Sequence, residues 1–281
     1  MVKITPVEFS LFSKYILSIS GISLDLGKEY LIETRLRPLL KEYSLNSFKD
    51  LYNAALSDSQ KKIEKEIIDA ISTNETYFFR DKNPFELLKF KILPDLIDKR
   101  SAEKPGRPVN IRVWSAASST GQEIYSVAMI MHELGIANTR QYNIRLIGTD
   151  ISDAAIAKAS YGQYNKFEVA RGLTPERLRK FFTKVGDDWK IKDEIRSMVA
   201  FQKVNLLKPF NSPGKFDIVF CRNVAIYFNP PDRQKLYQTI SNSLEKDGYL
   251  LIGSTESLSN DTQMFKPQRY LNSTFYQFKG V

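Results

Sequence analysis

From about residue 110 onward, short apolar runs alternate with stretches of helical periodicity, and this alternation restricts the fold more than any other feature of the chain. The runs are Ile111 to Ser115, Ile144 to Thr149, Val199 to Val204, Phe216 to Cys221, Tyr249 to Gly253 and Thr274 to Phe278. Apolar residues dominate them, as they must in strands buried on both faces. Helical stretches at 121–134, 152–160 and 231–245 fall between them. This order predicts a doubly wound α/β fold with a mostly parallel sheet and a terminal antiparallel strand. The interval 161–198 is too long for a simple crossover. It combines a short helix with strand-like Lys180 to Thr183 and Trp189 to Lys192, which predicts a small inserted subdomain with nine Lys or Arg against six acids.

The first hundred residues read differently. Thr5-Pro6-Val7-Glu8 is a capping box with proline at the first helical position, followed by Phe9, Phe12, Ile16 and Ile19 at helical spacing and a stop at Gly21. Further helices are expected at 27–43, 47–56 and 60–71, and Asn83-Pro84-Phe85-Glu86 repeats the capping signature ahead of a helix at 84–99. Residues 101–109 are polar and proline-bearing, so the expected organisation is an N-terminal helical domain over 1–82, a linking helix and linker over 83–109, and an α/β domain over 110–281 with its insert at about 161–198.

Composition narrows the chemistry. At 42% hydrophobic and 26% charged residues, the 281-residue chain can bury a core without a partner. It has no run of roughly 18 apolar residues, and Met1-Val2-Lys3-Ile4-Thr5-Pro6 lacks the apolar core of a signal peptide, so a cytoplasmic protein without membrane insertion is expected. One cysteine, Cys221, and one histidine, His132, leave little from which to build a disulfide, a Cys/His zinc site or a Ser-His triad, and no metal is expected. The net charge of +9 lies in the C-terminal part: residues 1–100 hold 16 basic and 15 acidic side chains, the remainder 25 and 17. Such a surface can steer an anionic partner or simply be solvated.

In doubly wound sheets ligands bind beyond the carboxyl ends of the strands, so the residues just after each run carry the information. After the first run, Ser115-Ala116-Ala117-Ser118-Ser119-Thr120-Gly121-Gln122-Glu123 allows close backbone approach by a ligand at a helix N-terminus, and would also serve as an ordinary tight turn. After the second, Asp150 supplies the ionised acceptor that ribose hydroxyls need, or alternatively the N-cap of the next helix. After the third, Asn205-Leu206 offers an amide and an apolar neighbour suited to an adenine ring. After the fourth, Phe220-Cys221-Arg222-Asn223-Val224-Ala225-Ile226-Tyr227-Phe228 presents a cation that demands an anion, either a ligand or a structural ion pair.

These blocks, together with Ser72-Thr73-Asn74-Glu75-Thr76-Tyr77-Phe78-Phe79-Arg80-Asp81, resemble the CheR family of chemotaxis protein-glutamate O-methyltransferases. The likeness runs almost end to end, through the Thr-Asn-x-Thr-x-Phe-Phe-Arg segment, the run at 114–123, Thr149-Asp150, Asn205-Leu206 and the block at 221–228. It implies a class I S-adenosylmethionine-dependent (Rossmann-like) sheet preceded by an all-α domain. It also implies S-adenosyl-L-methionine as cofactor, with Asn74, Thr76, Arg80, Glu123, Asp150, Asn205, Leu206, Arg222 and Asn223 around it and Arg80 and Tyr227 nearest the transferred methyl. The implied substrate is glutamate on the cytoplasmic helical region of methyl-accepting chemotaxis receptors, and the enzyme is expected to act as a monomer. Two departures stand out. Gln122-Glu123-Ile124-Tyr125 lacks the family's usual proline, and the turn Lys184 to Trp189 is shorter than the glycine-flanked loop of members that dock on a receptor tail peptide, which argues against tail-tethered recruitment.

A glutamate acceptor is already ionised near neutral pH, so the expected task of Arg80 and Tyr227 is placement rather than proton removal. Two competing readings carry less. Asn229-Pro230-Pro231-Asp232 resembles the Asn-Pro-Pro-aromatic motif of adenine methyltransferases, but it stands beyond the strand end and closes on aspartate, so a helix cap at Asn229 with Pro230 in the first turn fits better and no nucleic acid is expected. A non-catalytic binding module is disfavoured because every ligand position is present. His132, mid-helix, is expected to be a surface or packing residue, and Cys221 to be buried.

Overall fold

The computed structural model describes residues 2–137, 139–209, 214–271 and 273–280. Four helices come first: α1 (Pro6–Ser20), α2 (Glu29–Glu42), α3 (Phe48–Ser57) and α4 (Lys62–Ile71). The Thr5 hydroxyl accepts from the Glu8 amide at 3.3 Å, and Glu8 Oε2 accepts in return from the Thr5 amide at 2.8 Å, so the predicted capping box forms. Glu8 Oε1 also accepts from the Lys49 amide and ties α1 to the start of α3. Phe12, Ile16, Ile32, Leu36, Phe48, Leu51 and Ile67 fill the core of this bundle.

The linking helix runs as α5 (Asn83–Leu87), a π-turn (Leu88–Ile92) and α6 (Leu93–Glu103). Pro94 has no amide to donate and its ring crowds the preceding turn, and the wide turn just before it accommodates both. The capping signature expected at Asn83 does not operate. The helix begins at Asn83 itself, its N-cap is Lys82 at φ 46°, and no side chain caps it. The chain enters through the left-handed residues Phe79, Asp81 and Lys82, which leaves Asn83 no extended N-cap geometry.

Then follow β1 (Val109–Ala116), α7 (Gln122–Glu133), β2 (Tyr142–Asp150), α8 (Asp153–Tyr161), β3 (Gln163–Tyr164), α9 (Lys166–Ala170), α10 (Pro175–Phe181), β4 (Phe182–Val185), β5 (Asp188–Ile191), α11 (Asp193–Arg196), β6 (Val199–Lys203), β7 (Phe216–Cys221), α12 (Pro230–Ser243), β8 (Leu244–Ile252), β9 (Phe265–Tyr270) and β10 (Ser273–Phe278). The main sheet has the order β6-β2-β1-β7-β8-β10-β9, with β6 to β8 parallel and β10 and β9 antiparallel. The antiparallel edge thus holds one strand more than the pattern predicts. Strand β9, Phe-Lys-Pro-Gln-Arg-Tyr, is polar and contains Pro267, which a sheet tolerates at an edge and which hides the strand from hydropathy. The insert forms its own antiparallel sheet, β3-β5-β4, and β4 starts two residues later than expected because Lys180 and Phe181 end α10.

Strand β7 is buried at all six positions, with Ile218 and Phe220 on the face covered by α5 and α7, and Val219 and Cys221 on the face covered by α12. Because β1 lies between β2 and β7, the chain turns to opposite sides of β1 in its two halves, and a crevice opens at β1's carboxyl end.

Candidate active site

The crevice at that switch point is a cleft of about 1210 Å³, counting the solvent-open space at its mouth, with the helical bundle as its far wall. All ten residues expected at the site line it: Asn74, Thr76, Arg80, Glu123, Asp150, Asn205, Leu206, Arg222, Asn223 and Tyr227. The loops that shape it are held in uncommon backbone conformations. Of nine non-glycine residues at positive φ among the described residues, six (Phe79, Asp81, Lys82, Ala117, Ser119 and Asn223) fall in the three loops 79–82, 117–119 and 223. Each such residue costs on the order of 1–3 kcal/mol, and concentrations of them mark sites where geometry matters more than local stability.

Asp150 joins the loop after β1 to the turn before α8. Its Oδ2 accepts from the Ser119 amide at 2.8 Å and its Oδ1 from the Ser152 amide at 3.0 Å, and it is 6% exposed. Burial pushes its carboxyl above the ordinary range, partly offset by those amide bonds. It is not the cap of α8: Ser152 fills that role, its hydroxyl accepting from the Ala155 amide. A buried carboxylate with one lone pair on each oxygen committed retains capacity for further donors. Gly148 and Gly121 let Phe201 pack closely against this loop. A side chain at Gly148 would meet Phe201 at 2.7 Å and the Ser118 hydroxyl at 2.9 Å, and Gly121 stands at φ 93°.

Arg222 finds its anions within the chain. Its side chain is 1% exposed, and Nη1 bonds Glu123 at 2.8 Å while Nη2 bonds Asp81 at 2.7 Å and the Arg80 carbonyl at 3.0 Å. Glu123 in turn accepts from the Ser115 hydroxyl. The structural ion pair therefore exists, and it also places Arg222 as the tie between β1, β7 and the loop that carries Arg80. Asp81 was not picked out by its sequence context, because its role appears only once that loop folds onto β7.

Asn205 is likewise engaged: its Nδ2 donates to the Ile19 carbonyl at 3.1 Å and its Oδ1 accepts from the Leu207 amide at 3.0 Å. The amide read as an adenine ligand joins the bundle to the sheet. Arg80 donates from Nη1 to the Glu75 carbonyl at 2.9 Å and is paired with no carboxylate among the described residues. Tyr227 ends a 3₁₀ turn, and its carbonyl accepts from the Ser23 amide at 2.9 Å, again joining bundle and sheet. Arg35 also lines the cleft, donating to the Ile71 carbonyl and the Thr73 hydroxyl. Sequence reading missed it, along with Glu256, whose Oε2 accepts from the Asn223 and Gly253 amides at 2.8 and 2.7 Å and fixes the turn after β7. Both are ordinary charged residues until the fold assigns them neighbours.

Three other expectations meet plain outcomes. Asn229 caps α12 through Asp232, with Pro230 in the first turn. His132 packs edge-on against Phe181 at the end of α7. Cys221 is buried, and burial, with Glu256 and Glu123 nearby, pushes its thiol well above the usual range.

The chain matches the family model for the CheR methyltransferase SAM binding domain over residues 74–272 and that for the CheR methyltransferase all-alpha domain over residues 7–72. It belongs to the CheR methyltransferase family. Relatives in the family include the chemotaxis protein methyltransferases of Vibrio parahaemolyticus, 38% identical over 99% of both chains, and of Borreliella burgdorferi, 36% identical over 94% of this chain and 92% of that one. Chemotaxis protein methyltransferase 1 of Pseudomonas aeruginosa is 37% identical over 90% of this chain and 91% of its own.

The CheR cofactor is S-adenosyl-L-methionine, and the cleft fits it. Asp150 retains acceptor capacity for ribose hydroxyls, the Ser118 hydroxyl is buried without a partner among the described residues, and the small residues at 116–119 admit close backbone approach. No helix among the described residues is long and apolar enough to cross a membrane.

Proposed function

We propose that the acceptor of this S-adenosyl-L-methionine-dependent chemotaxis protein methyltransferase is the side-chain carboxylate of glutamate on the cytoplasmic helical region of chemoreceptors, giving glutamyl methyl esters. S-adenosyl-L-methionine supplies an electrophilic methyl on a positively charged sulfur. Asp150, Leu206, Asn223 and the loop at 116–119 hold the donor, and Glu123 with Arg222 fixes the floor beneath it. Arg80 holds the acceptor carboxylate, and the Tyr227 hydroxyl orients it.

The observation that carries this reading is the contrast between the two guanidinium groups. Arg222 is committed to Glu123 and Asp81, whereas Arg80, at the open side of the same cleft, keeps donors for an incoming anion. A carboxylate is already charged at neutral pH, and the site supplies no obvious base: Asp150 is locked between two amides and Glu123 is paired. Aligning the reactants accounts for up to about 7–11 kcal/mol in well-oriented systems, which makes placement sufficient chemistry. The test is incubation with labelled S-adenosyl-L-methionine and receptor cytoplasmic fragments, followed by mild base. Methyl esters release volatile methanol; label that stays on the protein would refute the ester assignment.

A further inference from the structure

The segment Asn74 to Arg80 faces two ways. Asn74, Glu75, Thr76 and Arg80 line the cleft, while Glu75, Tyr77, Phe78 and Phe79 are also held by the insert. Arg171 Nη2 bonds Glu75 at 2.9 Å, and its guanidinium lies over the Tyr77 ring at 4.1 Å. Phe78, fully buried, meets Tyr164 and Phe182 edge-on at 5.1 and 5.4 Å. Arg177 lies over the Phe79 ring at 3.7 Å and forks onto Glu133 of α7. Gly172, at φ +96°, passes so close that a Cβ there would overlap the Phe78 carbonyl. The Tyr164 hydroxyl bonds the Thr120 carbonyl at 2.8 Å, so the insert also touches the loop after β1.

The segment between α4 and α5 has no regular structure of its own, and it includes three left-handed residues, Phe79, Asp81 and Lys82. Its shape must come from what packs against it. Misplacement of a reacting group by about 1 Å can cost a hundredfold in rate. We propose that the insert is part of the methyl-transfer machinery, with Arg171 and Gly172 as positioning residues that hold Thr76 and Arg80 in the cleft. This rests on the role given above to Arg80.

Arg171 has a half-exposed side chain, so its replacement leaves the fold intact. Arg171→Ala is expected to lower kcat about fivefold, the scale of one exposed cation–π contact, with an unchanged thermal midpoint. Arg171→Lys keeps the charge on Glu75 but loses the planar stack, and should recover part of that rate. Gly172→Ala, which forces the Phe78 backbone to move, should lower kcat by at least about tenfold. In an Arg80→Ala background, Arg171→Ala should add less than about twofold, because the group that it positions is gone. Wild-type kcat in both Arg171→Ala and Gly172→Ala overturns the proposal, and so does an equal loss with and without Arg80. If Gly172→Ala does not fold, Arg171→Ala decides. Full turnover by Arg80→Ala alone would instead defeat the underlying reading of the site, whereas a crippled Arg80→Ala beside normal insert variants defeats only this inference.

Discussion

The two walls of the cleft are built to different standards. On the sheet side, Asp150, Glu123 and Arg222 are at most 9% exposed, and each is fixed by two or more bonds. On the bundle side, Lys28, Arg35 and Arg80 are only half-buried, and the wall is joined to the sheet through a few contacts such as Ser23 to Tyr227 and Asn205 to Ile19. The difference suits the two reactants. A small donor of constant shape is best met by a preorganised surface, whereas a protein acceptor needs a wall that can adjust and charges that water keeps soluble until contact.

The largest effect should come from attacking the rigid wall. Arg222→Leu removes one partner of a buried cluster and leaves Glu123 without its cation, so a loss of about 3–5 kcal/mol in unfolding free energy is expected in a denaturant titration. A loss under about 1 kcal/mol would mean that the two walls are equally loose. Next, Arg80→Ala on the adaptable wall should leave the denaturation midpoint in place and cost at least about 2 kcal/mol of transition-state stabilisation, measured as kcat/KM. Asp150→Asn tests the rigid wall as a donor site: calorimetry should show S-adenosyl-L-methionine affinity weakened by about 1.5–2 kcal/mol, with kcat at saturation changed much less.

The smallest effect concerns pH. Burial alone would raise the Glu133 carboxyl, but the Arg177 fork and Lys89 outweigh it, and the group lies below its ordinary range. A depressed carboxyl lends stability that is complete above the unfolded value and fades as pH falls through the folded one. The link between insert and α7 should therefore hold at neutral pH and loosen only below about pH 4.5. Hydrogen exchange in α10 that is unchanged between pH 7 and pH 3.5, after correction for intrinsic rates, would show that the link contributes nothing.

The parallel sheet was legible because burial on both faces leaves runs such as Phe216 to Cys221 almost without polar interruption. Strand β9 was not, since an edge strand obeys no such rule and Pro267 argues against it on its face. Within the site, Asp150 and the small-residue loop could be found because the switch-point rule locates them from strand order alone. Asp81, Glu256 and Arg35 could not, because each acquires its role from a partner distant in the chain: Asp81 from Arg222, Glu256 from Asn223, Arg35 from the end of α4. Asn205 shows a second role that its sequence context did not reveal: it lines the cleft as expected, and it also ties Ile19 of the bundle to the turn at Leu207.

Strand order also has a bearing on synthesis. Since β10 lies between β8 and β9, the edge strand leaves the ribosome before the neighbour it pairs with among the described residues, and it must wait, apolar Phe265 included, for that neighbour to arrive. Strand β1 is in the same position, since both of its partners, β2 and β7, follow it in the chain. Until the later strands arrive, the growing sheet therefore offers open backbone to chaperones or to aggregation.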